Sequence, residues 1–180
     1  GEGRAGIVHR LDKDTSGVIL IARTEGARLS LMKQFAARTV QKRYLALVEG
    51  VPKTRSGEIN APLGRDPQQR KQIAVLTSNR GGREAVSFFN VLETFGDFSL
   101  VEVLPKTGRT HQIRVHLAFI GHPIVGDKVY GRRRQRIALA RHFLHAESLS
   151  LLAPLGRRPL TLSAPLPPEL EAVLAKLRAG

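Results

Sequence analysis

The stretch His9-Arg10-Leu11-Asp12-Lys13-Asp14-Thr15-Ser16-Gly17 holds the densest set of reactive side chains in the sequence. It runs into residues 17–23, GVILIAR, a short β-branched segment bounded by glycine that reads as a buried strand. Polar groups gathered against a core strand are a common setting for function. Asp12 lies between Arg10 and Lys13, and such neighbours favour an ionised carboxylate. An ionised carboxylate serves as a nucleophile or a base and is a poor general acid near neutral pH. Asp14, Thr15, Ser16 and Gly17 are turn formers, so part of the same segment is explained equally well as a turn.

A second polar segment, Lys106 to His116, runs from a turn into a helix. Backbone N–H groups at a helix start attract anions, and Arg109 and His111 stand beside them. Thr110 capping a solvated helix is the plainer alternative. Arg114 has apolar neighbours, and a buried arginine requires a carboxylate partner. Asp12 is the candidate. The absence of cysteine excludes disulfides, thiolate metal sites and cysteine nucleophiles. His111 and His116 are five residues apart, off the interval that shares a helix face, so no metal site is expected. Gly1, Gly3 and Gly6 match the spacing of a dinucleotide fingerprint, but no strand precedes them. Ser16 lacks the flanks of a nucleophile elbow.

The elements that must position these residues follow from periodicity. Thr24 caps a helix over 25–38 with Ala27, Leu31, Met32 and Phe35 on its apolar face. Strands are expected at 43–49, 57–60, 72–77, 83–94, 98–104, 142–152 and 160–163, the fourth and fifth pairing across residues 95–97. Residues 112–120 form a helix with Ile113, Leu117 and Ile120 on one face, ended by Gly121. Pro167-Pro168 opens a last helix through Leu170, Val173, Leu174 and Leu177. Many strands with a few helices predict an α+β fold with a central, mostly antiparallel or mixed sheet. No repeat or linker divides residues 1–180, so one domain is expected.

Composition narrows the partner. Lys and Arg number 29 against 15 Asp and Glu, a net charge of +14. With a pI near 11.3, this suits a polyanion. The basic residues are mostly arginine, whose planar fork binds phosphate and stacks on bases. Two basic runs, 65–71 and 132–136, fall in expected loops. Seven Phe, two Tyr and no Trp argue against broad aromatic platforms for single strands. No apolar run reaches the roughly 18 residues of a membrane span. The opening GEGRAG has no apolar stretch, so no membrane association and a cytoplasmic location are expected.

The run HRLDKDTSGVILIART closely resembles the signature of the RluA/RluD family of RNA pseudouridine synthases. Three further stretches resemble the same family in the same order: KRYLALVEG at 42–50, TGRTHQIRVHLAFIGHPIVGD at 107–127, and FLHAESLSL at 143–151 followed by SAPLPPEL at 163–170. The resemblance implies an α+β pseudouridine synthase catalytic domain with an RNA cleft across its sheet. It implies a monomer without cofactor or metal, acting on structured RNA, foremost large-subunit ribosomal RNA and secondly transfer RNA. Asp12 matches the catalytic aspartate, Arg114 the arginine paired with it, and Tyr44 the tyrosine packed against the target uracil. Arg10 matches the residue that enters the RNA stack and holds the flipped nucleotide out. His9, Lys42, Arg109, Thr110, His111 and Gln112 are expected to contact RNA near the site, and Arg132, Arg133 and Arg134 to contact phosphates. The family commonly carries a leading segment and an S4-like domain ahead of HRLD. This sequence opens eight residues before His9, so neither is expected in it, and a sheet edge is expected to be left unpaired. A non-catalytic RNA-binding or ribosome-assembly module on the same scaffold is the rival expectation, disfavoured by the intact Asp12, Tyr44 and Arg114.

Overall fold

The computed structural model describes residues 6–156 and 158–180, so Gly1 and Gly3 of the glycine match lie outside the described residues. Among the described residues, one sheet has seven strands: β1 (Ser16–Gly17), β2 (Gln41–Glu49), β3 (Ser56–Asn60), β6 (Val86–Phe95), β7 (Phe98–Pro105), β8 (Leu144–Leu152) and β9 (Pro159–Ser163). A separate hairpin joins β4 (Leu63–Arg65) to β5 (Ile73–Val75). The order across the main sheet is β1-β8-β2-β7-β6-β3, with β9 also on β8. Only β1 with β8 is parallel among these pairs, so the sheet is mixed and mainly antiparallel, as the strand pattern predicts.

The helices are α1 (Glu25–Ala36), α2 (Gln112–Phe119) and α3 (Pro168–Ala179). Thr24 caps α1 as expected, its hydroxyl accepting from the Ala27 N–H at 3.2 Å. The β6–β7 hairpin closes over Gly96-Asp97, with Phe95 opposite Phe98. Pro168 takes the first position of α3, where its missing N–H costs nothing. The core gathers Leu47, Val101, Ile124, Phe143 and Leu170 between the sheet, α2 and α3.

Two expectations fail here. Residues 17–23 are not one buried strand: β1 stops at Gly17, and Ile19 and Ile21 are 48% and 64% exposed. β1 pairs with His145 and Ala146, and from Ser148 onward the same edge of β8 is taken by β9. The chain must therefore leave the sheet, and only alternate residues Val18, Leu20 and Ala22 pack, under α1. Thr110 does not cap α2. His111 takes the cap position in the left-handed region, φ 53°, with no side-chain cap bond, and α2 is buried on nearly every side from Gln112 to Leu117.

Candidate active site

β8 lies between β1 and β2, and Gly17, Ala146, Tyr44 and Val103 form one cross-strand row. The loop ahead of β1 is thereby held at the level of Tyr44. Gly17 is obligatory for this: a Cβ there would sit 2.1 Å from the Ala146 carbonyl oxygen, and its φ is +121°. Thr15 and Ser16 act as tethers. The Thr15 hydroxyl hydrogen-bonds His142 at 2.8 Å, and the Ser16 hydroxyl hydrogen-bonds His145 Nδ1 at 2.8 Å. Arg141 adds bonds to the Asp14 carbonyl and the Ser16 hydroxyl, both at 2.9 Å. The Asp12 carbonyl accepts from the Thr15 N–H at 3.1 Å, closing a turn that presents the Asp12 side chain to a cleft of about 600 Å³.

Arg114 reaches the same place from α2. Its direct partner is Asp127: Nε donates to Oδ2 at 2.7 Å and a terminal nitrogen donates to Oδ1 at 2.9 Å. Asp12 Oδ2 is 3.7 Å from the other terminal nitrogen. Asp12 is thus the outer carboxylate of a carboxylate–guanidinium–carboxylate row, and the paired role expected of it belongs first to Asp127. Asp127 is the residue missed in the sequence. Burial works against its charge, but the Arg114 bonds and the Tyr130 and Val129 N–H groups hold its carboxyl below the usual range. Burial likewise opposes the Arg114 charge, and Asp127, then Asp12, raise its pKa all the same. The Tyr130 ring lies under the guanidinium at 5.1 Å, and its hydroxyl accepts from the Ile73 N–H.

Tyr44 lines the cleft beside Asp12. Burial, reinforced by the Asp12 charge, pushes its phenol up to about 12, so the hydroxyl stays protonated at neutral pH. Arg10, Thr110, Arg109 and Lys42 also line the cleft. His9 lines it too, but its Nε2 accepts from the Leu20 N–H at 2.8 Å, so that nitrogen is occupied. His111 bonds the Tyr130 hydroxyl through Nδ1 at 2.8 Å. It faces the arginine row, and burial keeps it below its ordinary pKa although Asp12 pulls the other way. Gln112 is a brace. Its amide oxygen accepts from the Thr107 hydroxyl and the Arg109 N–H, and its amide nitrogen donates to Val86 and Ser87. With all four bonds made inside the protein it has none left for RNA. Arg132, Arg133 and Arg134 are exposed and outside the cleft lining. Arg132 lies 3.9 Å from Glu49, five residues along β2 from Tyr44, or roughly 16 Å. Among the described residues, no cluster of three or more His, Asp or Glu is placed to hold a metal ion. No helix there is long and apolar enough to cross a membrane.

Lys42 carries a pH dependence. Its ammonium donates to the Thr107 carbonyl at 2.9 Å, and burial, with Arg38 nearby, lowers its pKa to about 8. The charge is present below that value and lost above it. Affinity of the cleft for a polyanion at fixed salt should therefore fall as pH rises through about 8. Lys42→Arg should flatten the profile; a native profile already flat would remove Lys42 from the binding surface.

A mixed sheet that sets an aspartate and a tyrosine in a cationic cleft, with a buried arginine 3.7 Å behind the aspartate, defines a carboxylate-centred site. The RNA pseudouridylate synthase family matches residues 1–119, and the chain belongs to that family. It is 52% identical over 178 residues to an RNA pseudouridine synthase of Chloroflexus aurantiacus, covering 99% of this chain and 55% of the relative. It is 43% identical over 182 residues to ribosomal large subunit pseudouridine synthase D of Nitrosomonas europaea, covering 97% of this chain and 52% of the relative. The solved human RNA pseudouridylate synthase domain containing 1 superposes with a TM-score of 0.78 at 30% identity, covering 97% of this chain and 80% of that one. The chain spans about half the length of the curated relatives it matches.

Proposed function

We propose that this chain is the catalytic domain of an enzyme that isomerises uridine to pseudouridine in structured RNA, with large-subunit ribosomal RNA as substrate. The observation that carries the reading is Asp12, placed in the cleft and held 3.7 Å from an arginine whose charge is fixed by a second carboxylate. The large-subunit names among the relatives support the ribosomal substrate.

The reaction breaks the N1–C1′ bond, turns the uracil, forms C5–C1′ and transfers the C5 proton away. A stacked nucleotide must first be flipped, at a cost of a few kcal/mol. Arg10, exposed at the cleft mouth, fills the vacated space with a guanidinium that both stacks and hydrogen-bonds. The Asp12 carboxylate then either attacks C1′ as N1–C1′ breaks and leaves again as C5–C1′ forms, or removes the C2′ proton and later returns it, with the Arg114 guanidinium 3.7 Å away on either route. Tyr44 packs against the uracil; its phenol, protonated at rest, gives a proton to N1, and the phenolate so formed takes the C5 proton and exchanges it with water, so that protons balance. No water attack is needed, which separates the scheme from two-carboxylate glycoside hydrolysis.

Tritium release from 5-tritiated uridine in ribosomal RNA transcripts tests the reading. Release from the native chain supports it; RNA bound without release supports a binding module. Arg132, Arg133 and Arg134 form a second phosphate-contact surface in this reading. Neutralising all three should weaken binding and lower the slope of log affinity against log salt by roughly 2 to 3. An unchanged slope would place the RNA elsewhere.

A further inference from the structure

The cleft is longer than a single nucleotide needs. Its floor follows β2 and the residue before it, with Tyr44, Lys42 and Val40 all lining it. Tyr44 and Val40 are four residues apart, roughly 13 Å on an extended strand. That is several times the ~3.4 Å spacing of stacked nucleotides, so whatever occupies the Val40 end is not the reacting uracil but a neighbour in the strand. The Val40 end is built from the end of α1. Phe35 and Ala36 line it, and Phe35 stacks on His9 with ring centroids 4.9 Å apart at an interplanar angle of 17°. Burial, and Lys42 next to it, keep the His9 ring below its ordinary pKa and hence neutral, while the Leu20 N–H fixes its orientation.

The rim at that end is cationic. Arg38, Arg83 and Arg109 line it. Arg38 and Arg109 are both anchored on Glu84: Arg38 through two bonds to its carboxylate at 3.0 and 3.2 Å, Arg109 through Nε to its carbonyl at 2.9 Å. These bonds order the guanidinium groups in advance, and the one carboxylate leaves a net positive edge. Aromatic rings beneath a fixed cationic edge are the elements that hold single-stranded RNA, rings for bases and guanidinium groups for phosphates.

We propose that the α1 half of the cleft is a second nucleotide subsite. In it a nucleobase neighbouring the reacting uridine packs on the Phe35–His9 pair, and its phosphate meets Arg38 and Arg83. The subsite rests on the RNA-directed reading above and adds to His9 three residues that the motifs do not single out, Phe35, Arg38 and Arg83. Its recognition is of a π face and a phosphate, so it is tolerant of base identity and selective for unpaired RNA.

Fluorescence anisotropy with a labelled oligouridylate tests it. Phe35→Leu keeps apolar volume and removes the ring; it should weaken binding about 5- to 150-fold, the range for loss of one stacked base. Phe35→Tyr should restore it. Thermal melting of the same variants checks that the fold is kept. Arg83→Gln should lower the salt slope by about 0.7. Native affinity in Phe35→Leu, or failure of Phe35→Tyr to restore it, would overturn the subsite. Tritium release by the native chain separates the two readings. Phe35-dependent binding without release sinks the isomerase and leaves the subsite; release with Phe35-independent binding does the reverse.

Discussion

Asp12→Asn should abolish tritium release while RNA affinity stays within a few-fold of native. The substitution preserves shape and leaves a side chain that neither attacks carbon nor takes a proton, so the loss should reach about 10⁴-fold or more. Affinity should hold because the cationic lining of the cleft is untouched, and removing a negative charge from a phosphate-binding cleft favours RNA if it does anything. Stability should hold too. Arg114 keeps its two short bonds to Asp127, and Asp12 contributes only the 3.7 Å approach from a partly exposed position, 17% accessible. Affinity by filter binding and release on the same transcript check both halves. Residual release near the native rate would remove Asp12 from the chemistry, and a collapse of affinity would make it a structural or binding group.

Much of the fold was legible because its elements are decided locally. Thr24, Gly96-Asp97 and Pro168 each impose a cap or turn that tertiary contacts do not override. What failed depended on distant strands. Residues 18–22 have strand composition, yet β9, arriving some 140 residues later, takes the edge of β8 they would need. The site shows the same division. That Arg114 needs a carboxylate follows from its apolar neighbours, and Asp12 is indeed one partner at 3.7 Å; the closer partner, Asp127, is the one that chemical density does not single out. Asp127 closes the quoted run ending in Val125-Gly126-Asp127, and only the fold reveals why it lies there. Val125 is threaded between Leu47 and Phe143, and Gly126 passes the Arg141 carbonyl where a Cβ would sit 2.3 Å away. Gln112 misled in the opposite sense. A polar residue inside a motif invites a substrate role, whereas its four internal bonds spend it on the turn that presents Arg109.

Asp127→Asn should then be the most damaging change away from the reacting atoms, and it should act twice. Asp127 is fully buried and Arg114 is 7% exposed, so removing the inner charge leaves a guanidinium in a low-dielectric site with only Asp12, 3.7 Å away and without a direct hydrogen bond, to balance it. Breaking a buried pair from one side costs about 3–5 kcal/mol, and urea denaturation should show a loss of that order. The second effect is on Asp12 itself. An arginine released from Asp127 has one carboxylate left, and closing the 3.7 Å gap would draw Asp12 out of the cleft into a direct ion pair, so release should fall even where the variant is folded. The double variant Arg114→Met with Asp127→Leu separates the two effects. Replacing both charges with apolar groups should recover part of the stability, because no buried charge is left unpaired. It should not recover release, because nothing then holds the Asp12 anion at the cleft. Activity returning along with stability would reduce the row to a scaffold; stability returning alone would show that the inner pair exists to place a charge beside Asp12.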